Sequence, residues 1–183
     1  NGFDNRYFVS TETSRVMFLH KLFDKNPFLP DNPLSFGSAR VKRLYDLHLE
    51  SKFADNDTSV IYAIGFSPTD TSGHLFSGTL WVDSARYTLQ KIELDIRNAS
   101  VHPFVPHGNA DSLANVGMTI SHTYEHQGDA MYVKSIDFKY SLTYSTRFGN
   151  LYTTQTRAVL YAYSYEETFK LPFFNFSNSE YVD

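Results

Sequence analysis

The stretch from Leu75 to Ile96, LFSGTLWVDSARYTLQKIELDI, constrains the fold more than any other part of the chain. Phe76, Gly78, Leu80 and Val82 take even positions, while Ser77, Thr79 and Trp81 take the odd ones. That period of two marks a half-buried strand. Asp83-Ser84-Ala85-Arg86 supplies a polar turn, and the return strand opens with Tyr87 and Leu89 on odd positions. It continues with Ile92, Leu94 and Ile96 on even ones. A slip of one residue would turn an apolar set from the core to water, so an extra residue must absorb the switch. The sequence therefore predicts a β-bulge at Gln90-Lys91, and bulges bend and twist the strands that carry them.

The same alternation recurs along much of the chain. Tyr45, Leu47 and Leu49 alternate with Asp46, His48 and Glu50. After a turn at Ala54–Asp57, Val60, Tyr62, Ile64 and Phe66 alternate again, which reads as a hairpin. Val116 to Tyr124, Met131 to Tyr144 and Tyr152 to Tyr165 supply three more strands, separated by turns at Gln127–Asp129 and Arg147–Asn150. Gly65, Gly78 and Gly117 fall inside strands, where glycine signals a bend or a close approach. Asn98 to Asn115, with Pro103, Pro106 and Gly108, is a long aperiodic loop of the kind that carries function or motion.

Ahead of the strands, Val16, Leu19, Leu22 and Phe23 recur at helical spacing over Glu12–Asp24. Ser10 or Thr11 can cap that helix, and Pro27 and Pro30 end it. A short second helix over Ser38–Leu44 is a weaker alternative reading of that segment. The expected fold is mainly β, of the α+β class. It is a curved antiparallel sheet or half-barrel of seven or more strands, with the N-terminal helix packed on its concave face. The chain reads as one domain: helix and linker over 1–38, sheet over 39–169, and an aromatic tail over 170–183 lying against a sheet edge or leading into a next domain. Its start at Asn1-Gly2-Phe3, without Met, reads as a segment of a longer protein.

Composition narrows the function classes. The 183 residues include 16 Phe and 13 Tyr, more aromatic surface than a thin core needs, so part of it can line a groove. A net charge of -4 and the lack of any basic run longer than Arg40–Arg43 argue against nucleic acid. The absence of cysteine removes disulfide, thiol and iron–sulfur chemistry. No apolar run approaches the roughly 18 residues that cross a bilayer as a helix. No nucleotide or nucleophile-elbow motif is present, and no cofactor is expected.

A resemblance adds to this reading. NPLS at Asn32–Ser35, YAIGFSP at Tyr62–Pro68 and FSGTLWVDSARYTLQKIEL at Phe76–Leu94 resemble a family of uncharacterised outer-membrane proteins of Gram-negative bacteria. Those proteins join a carboxypeptidase-regulatory-like β-sandwich to a middle domain and a predicted membrane barrel. The resemblance runs from Asn32 to about Tyr144 and implies a middle domain at the periplasmic face of the outer membrane. The Gly78–Leu89 unit is also similar to the strand-turn-strand of the lipoprotein carriers LolA and LolB, a half-barrel plugged by helices. That likeness implies a non-enzymatic module whose apolar groove holds a lipid, an acylated protein or an extended peptide. The alternative is a structural or interaction domain that docks neighbouring domains of the same chain or an envelope partner.

The ligand-lining candidates are Phe66, Phe76, Phe138 and Tyr140, all on apolar strand faces. Trp81, on the opposite face, is the interface candidate. Each also suits plain core packing. His122 and His126, four residues apart, and His102 and His107 in the long loop are zinc-type side chains without a fixed-spacing motif. Glu93/Asp95 and Glu166/Glu167 are paired carboxylates, the first pair on one solvent-facing strand surface. Asp83-Ser84-Ala85 and Asp111-Ser112-Leu113 are similar to bacterial O-glycosylation sites and are equally ordinary turn sequences. Asn56, Asn98 and Asn175 open N-x-S/T sequons.

Overall fold

The computed structural model describes residues 22–23, 25–56, 59–106, 108–128 and 130–165, with backbone alone at 55–56. Seven antiparallel strands form one open sheet in sequence order, a meander. They are β1 (Tyr45–Asn56), β2 (Ser59–Pro68), β3 (Ser77–Asp83), β4 (Thr88–Ile96), β5 (Ser112–Gln127), β6 (Ala130–Ser145) and β7 (Leu151–Tyr161). One short helix, α1 (Ser38–Leu44), precedes β1, so the weaker reading of that segment is the observed one. The helix expected over Glu12–Asp24 lies outside the described residues except for Leu22 and Phe23, which form a turn. The tail over 170–183 is likewise outside them.

The predicted bulge is present. Trp81 pairs with Lys91 and Val82 with Leu89, which leaves Gln90 as the extra residue of β4. Its effect is the one the parity switch demands: Leu89, Ile92, Leu94 and Ile96 are all buried. Tyr87 departs from expectation. It sits in the turn at positive φ (54°) and is exposed, because the bulge begins the buried set at Leu89. Further register shifts occur twice in the β1–β2 pair and twice in β5–β6.

Register assembles the core as rows across the sheet. One row runs Leu47, Phe66, Gly78, Leu94, Ile120, Phe138, Ala158 from β1 to β7. Its neighbour runs Leu49, Ile64, Leu80, Ile92, His122, Ile136, Leu160. Among the described residues, Leu22, Leu29, Leu75, Phe76 and Phe104 join this cluster from outside the strands. The NPLS segment shows how the covering chain is held. Asn32 caps the 3-10 turn Pro33–Ser35 by accepting from the Leu34 N–H (3.0 Å), and its amide donates to the Leu22 carbonyl (3.1 Å). Asp31 next to it bonds His74 and Phe76 through its backbone, both at 2.9 Å.

The long loop is shorter and better anchored than its composition suggests. Strand β5 begins at Ser112, and Phe104 is buried with its ring 4.4 Å from that of Tyr140. One aromatic anchor thus fastens a proline-bearing segment to the core face.

Gly78 is a position where only glycine fits. A Cβ there would overlap the Glu93 carbonyl oxygen and come within 2.9 Å of Phe66 Cζ, so the Phe66 ring occupies that space. Gly78→Ala should lower stability by about 1–3 kcal/mol, as overpacking does. Urea unfolding followed by tryptophan fluorescence measures this, and a wild-type midpoint would contradict the packing described.

Candidate functional site

All four aromatics expected to line a groove are in the core cluster. Phe66, Phe76, Phe138 and Tyr140 are 1%, 0%, 2% and 3% exposed. Phe66 meets Tyr45 edge-on (5.8 Å, 82°), and Phe138 lies 5.5 Å from Tyr140, which in turn packs against Phe104. Phe66 and Phe138 belong to one cross-strand row, with Gly78, Leu94 and Ile120 between them. The structure therefore places all four in one core cluster, with Phe138 and Tyr140 as ring neighbours on β6 and Phe66 four strands away on β2.

Trp81 stands on the opposite face, half-buried, with the Lys91 ammonium 4.8 Å from its ring centroid. A desolvating cation–π contact of this kind contributes about 0.5–1 kcal/mol at a partly exposed site. Lys91 also pairs with Glu93 at 2.6 Å, while Asp95 accepts from the Thr119 hydroxyl at 3.0 Å. The Glu93/Asp95 pair thus faces solvent as the alternation implied. Glu166/Glu167 fall outside the described residues.

The two Asp-Ser sites differ. Asp83 accepts from the Ser59 hydroxyl (2.7 Å) and from the Ala85 N–H (2.8 Å), and the Ser84 hydroxyl accepts from the Val60 N–H (3.1 Å). These bonds close the β3–β4 turn onto β2. Asp111 accepts from the Tyr144 hydroxyl (2.6 Å) and the Arg147 N–H (2.8 Å), which ties the end of the long loop to the β6–β7 turn. Ser112 is exposed, and it opens β5 where a turn was expected. In both cases hydrogen bonds to the charged form hold the carboxyl below its ordinary pKa.

His122 is fully buried between Ile92 and Ile136 in the core row, with Nδ1 3.4 Å from the Tyr124 hydroxyl. His102 stacks on Phe104, and burial lowers its pKa. His107 is outside the described residues. Among the described residues no three His, Asp or Glu side chains gather closely enough to hold a metal ion.

The sheet edges carry information that the alternation did not single out. Strand β1 is blunted by two register shifts and by Asp46, Glu50 and Lys52. Strand β7 pairs with β6 without interruption from Leu151 to Tyr161 and contains a single charge, Arg157. Ala162 N–H donates to Lys134 O, and the Asn150 carbonyl accepts from Thr146 N–H. Even positions therefore bond β6, and alternation turns the N–H and C=O of Thr153, Gln155, Arg157 and Val159 to the side on which no described strand pairs. The sequence signal is the run TTQTRAV, which lacks proline, glycine and acidic residues.

Two measurements check this assignment of roles. Phe138→Ala should cost about 3–5 kcal/mol, whereas Trp81→Ala should cost far less, as half-buried surface does. Equal losses in chemical denaturation would contradict the placement of the two rings. Because Asp83 and Asp111 have depressed pKa values when folded, their contribution is present above the unfolded value of 3.8 and is lost as pH falls through the lower folded value. Stability should therefore fall below about pH 4. Asp83→Asn should flatten that fall, and an identical acid profile for the variant would refute the assignment.

Set against family models, curated proteins and solved structures, the chain matches none. Its own side-chain and edge geometry therefore carries the functional reading.

Proposed function

We propose that the chain is a non-enzymatic interaction module of the bacterial cell envelope, which takes an extended segment of a neighbouring domain or partner protein onto the open edge of β7. The observation that carries this is the contrast between the two edges. A long, regular, weakly charged edge is a template for strand addition, and natural sheets protect such edges unless they are used. Leu151, Tyr152, Val159 and Tyr161 stand exposed along it and supply apolar contacts on both faces. The non-enzymatic part rests on what the carboxylates do: Asp83 and Asp111 close turns, and Asp137 holds Arg157. Placement at the periplasmic face of the outer membrane rests on the resemblance of the Asn32–Tyr144 stretch. No helix among the described residues is long and apolar enough to cross a membrane.

A second reading has its own observation. Leu47 and Leu49 extend the two core rows past Phe66 and Ile64 but are 50% and 58% exposed. An acyl chain or apolar peptide could lie on that margin, in keeping with carriage of a lipid or acylated protein.

Site-directed photo-cross-linking at Val159, in cells that naturally carry the protein, separates the readings. The expected result is a cross-link to one extended segment that disappears with Thr153→Pro, because proline removes only an outward N–H. A cross-link that survives Thr153→Pro, or none at all, sinks strand addition. Native mass spectrometry of the purified chain should then give the bare polypeptide mass. A bound lipid that is lost on Leu47→Glu would install the second reading instead.

A further inference from the structure

The polar face of the sheet carries a groove of about 470 Å³, within the range of small-molecule sites. One wall is the cross-strand row Asp95, Thr119, Lys139, Arg157. Behind it run Gly117, Ser141 and Gln155, and Arg97 closes the end beyond β4. Gly117 keeps the floor open. A Cβ there would stand 2.9 Å from Ser141 Oγ and 3.4 Å from the Arg97 carbonyl oxygen.

The lining is positive in a chain whose net charge is -4: three cations face the groove against the one carboxylate of Asp95. Arg157 is fixed by Asp137 through two bonds of 2.9 and 2.7 Å, and Lys139 lies a loose 3.9 Å from the same carboxylate. Among the described residues Arg97 forms no ion pair. Arg97 and Lys139 are therefore the cations left to meet an anion. The second Asp95 oxygen, with the Ser141 hydroxyl and the Gln155 amide, offers both acceptors and donors around them.

We infer that this groove binds an acidic saccharide, independently of the β7 edge. A single inorganic anion would leave most of the volume empty. An acidic peptide offers only backbone amides beside its carboxylates, whereas sugar hydroxyls can donate to the Asp95 carboxylate and accept from Ser141 and Gln155. The acid group goes to Arg97 and Lys139, where charge-assisted bonds are strongest.

Calorimetric titration of the 183-residue chain with trigalacturonate tests this, beside maltotriose and hexaglutamate. Trigalacturonate should bind, weaken with added salt, and lose about tenfold or more in affinity when Arg97→Gln and Lys139→Gln are combined. Both positions are at the surface, so thermal melts should be unchanged, and Thr153→Pro should leave the binding intact. No heat at about 10 mM ligand, equal binding of maltotriose, equal binding of hexaglutamate, or an affinity indifferent to the double substitution each overturns the proposal.

Discussion

The Phe66 ring lies in the space that a side chain at Gly78 would fill, and the rest of the sheet is built outward from that contact. Phe66 and Gly78 are direct partners across β2 and β3, and Gly78 pairs in turn with Leu94. Absence of a side chain at one position admits a full aromatic ring from the next strand, an exchange that also pins register, because a one-residue slip would set that ring against Ser77 or Thr79. From there the row continues through Ile120 to Phe138, so five adjacent strands share one packed line.

Once that line is set, the two faces acquire different tasks. The core face is closed by irregular chain: Leu22, Leu29, Phe76 and Phe104 cover it, and Asn32 and Asp31 hold the covering segment through bonds to the backbone. The polar face is tied across strands by Thr119–Asp95 and Arg157–Asp137, and Lys91 pairs with Glu93 along β4. Such exposed pairs add little stability individually. Their larger effect is to set which cations stay available: Arg97, and Lys139, which shares the Asp137 carboxylate with the closer Arg157.

The edges complete the division. Bulges in β1 and its charges discourage pairing, while the unbroken register of β7 leaves a row of outward N–H and C=O groups. Among the described residues the sheet has two such edges, and β1 is the guarded one.

Much of the fold was legible in the chain because strand burial has a period of two and a bulge must break it. The parity switch after Leu89 placed a bulge at Gln90-Lys91, of which pairing makes Gln90 the extra residue, and the succession of alternating runs implied the antiparallel sheet. The interior glycines marked close approaches for the same reason. What alternation could not tell was how deep a residue on the apolar face lies. Phe66, Phe138 and Tyr140 share that face with Leu47 and Leu49, yet the first three are sealed and the last two are half exposed. That difference depends on which irregular segments fold back over which strands, a matter of long-range packing that local period does not encode. Likewise, the sequence places Asp95, Gly117, Lys139 and Arg157 on strand faces, but only pairing across β4 to β7 brings residues this far apart in the chain to one groove.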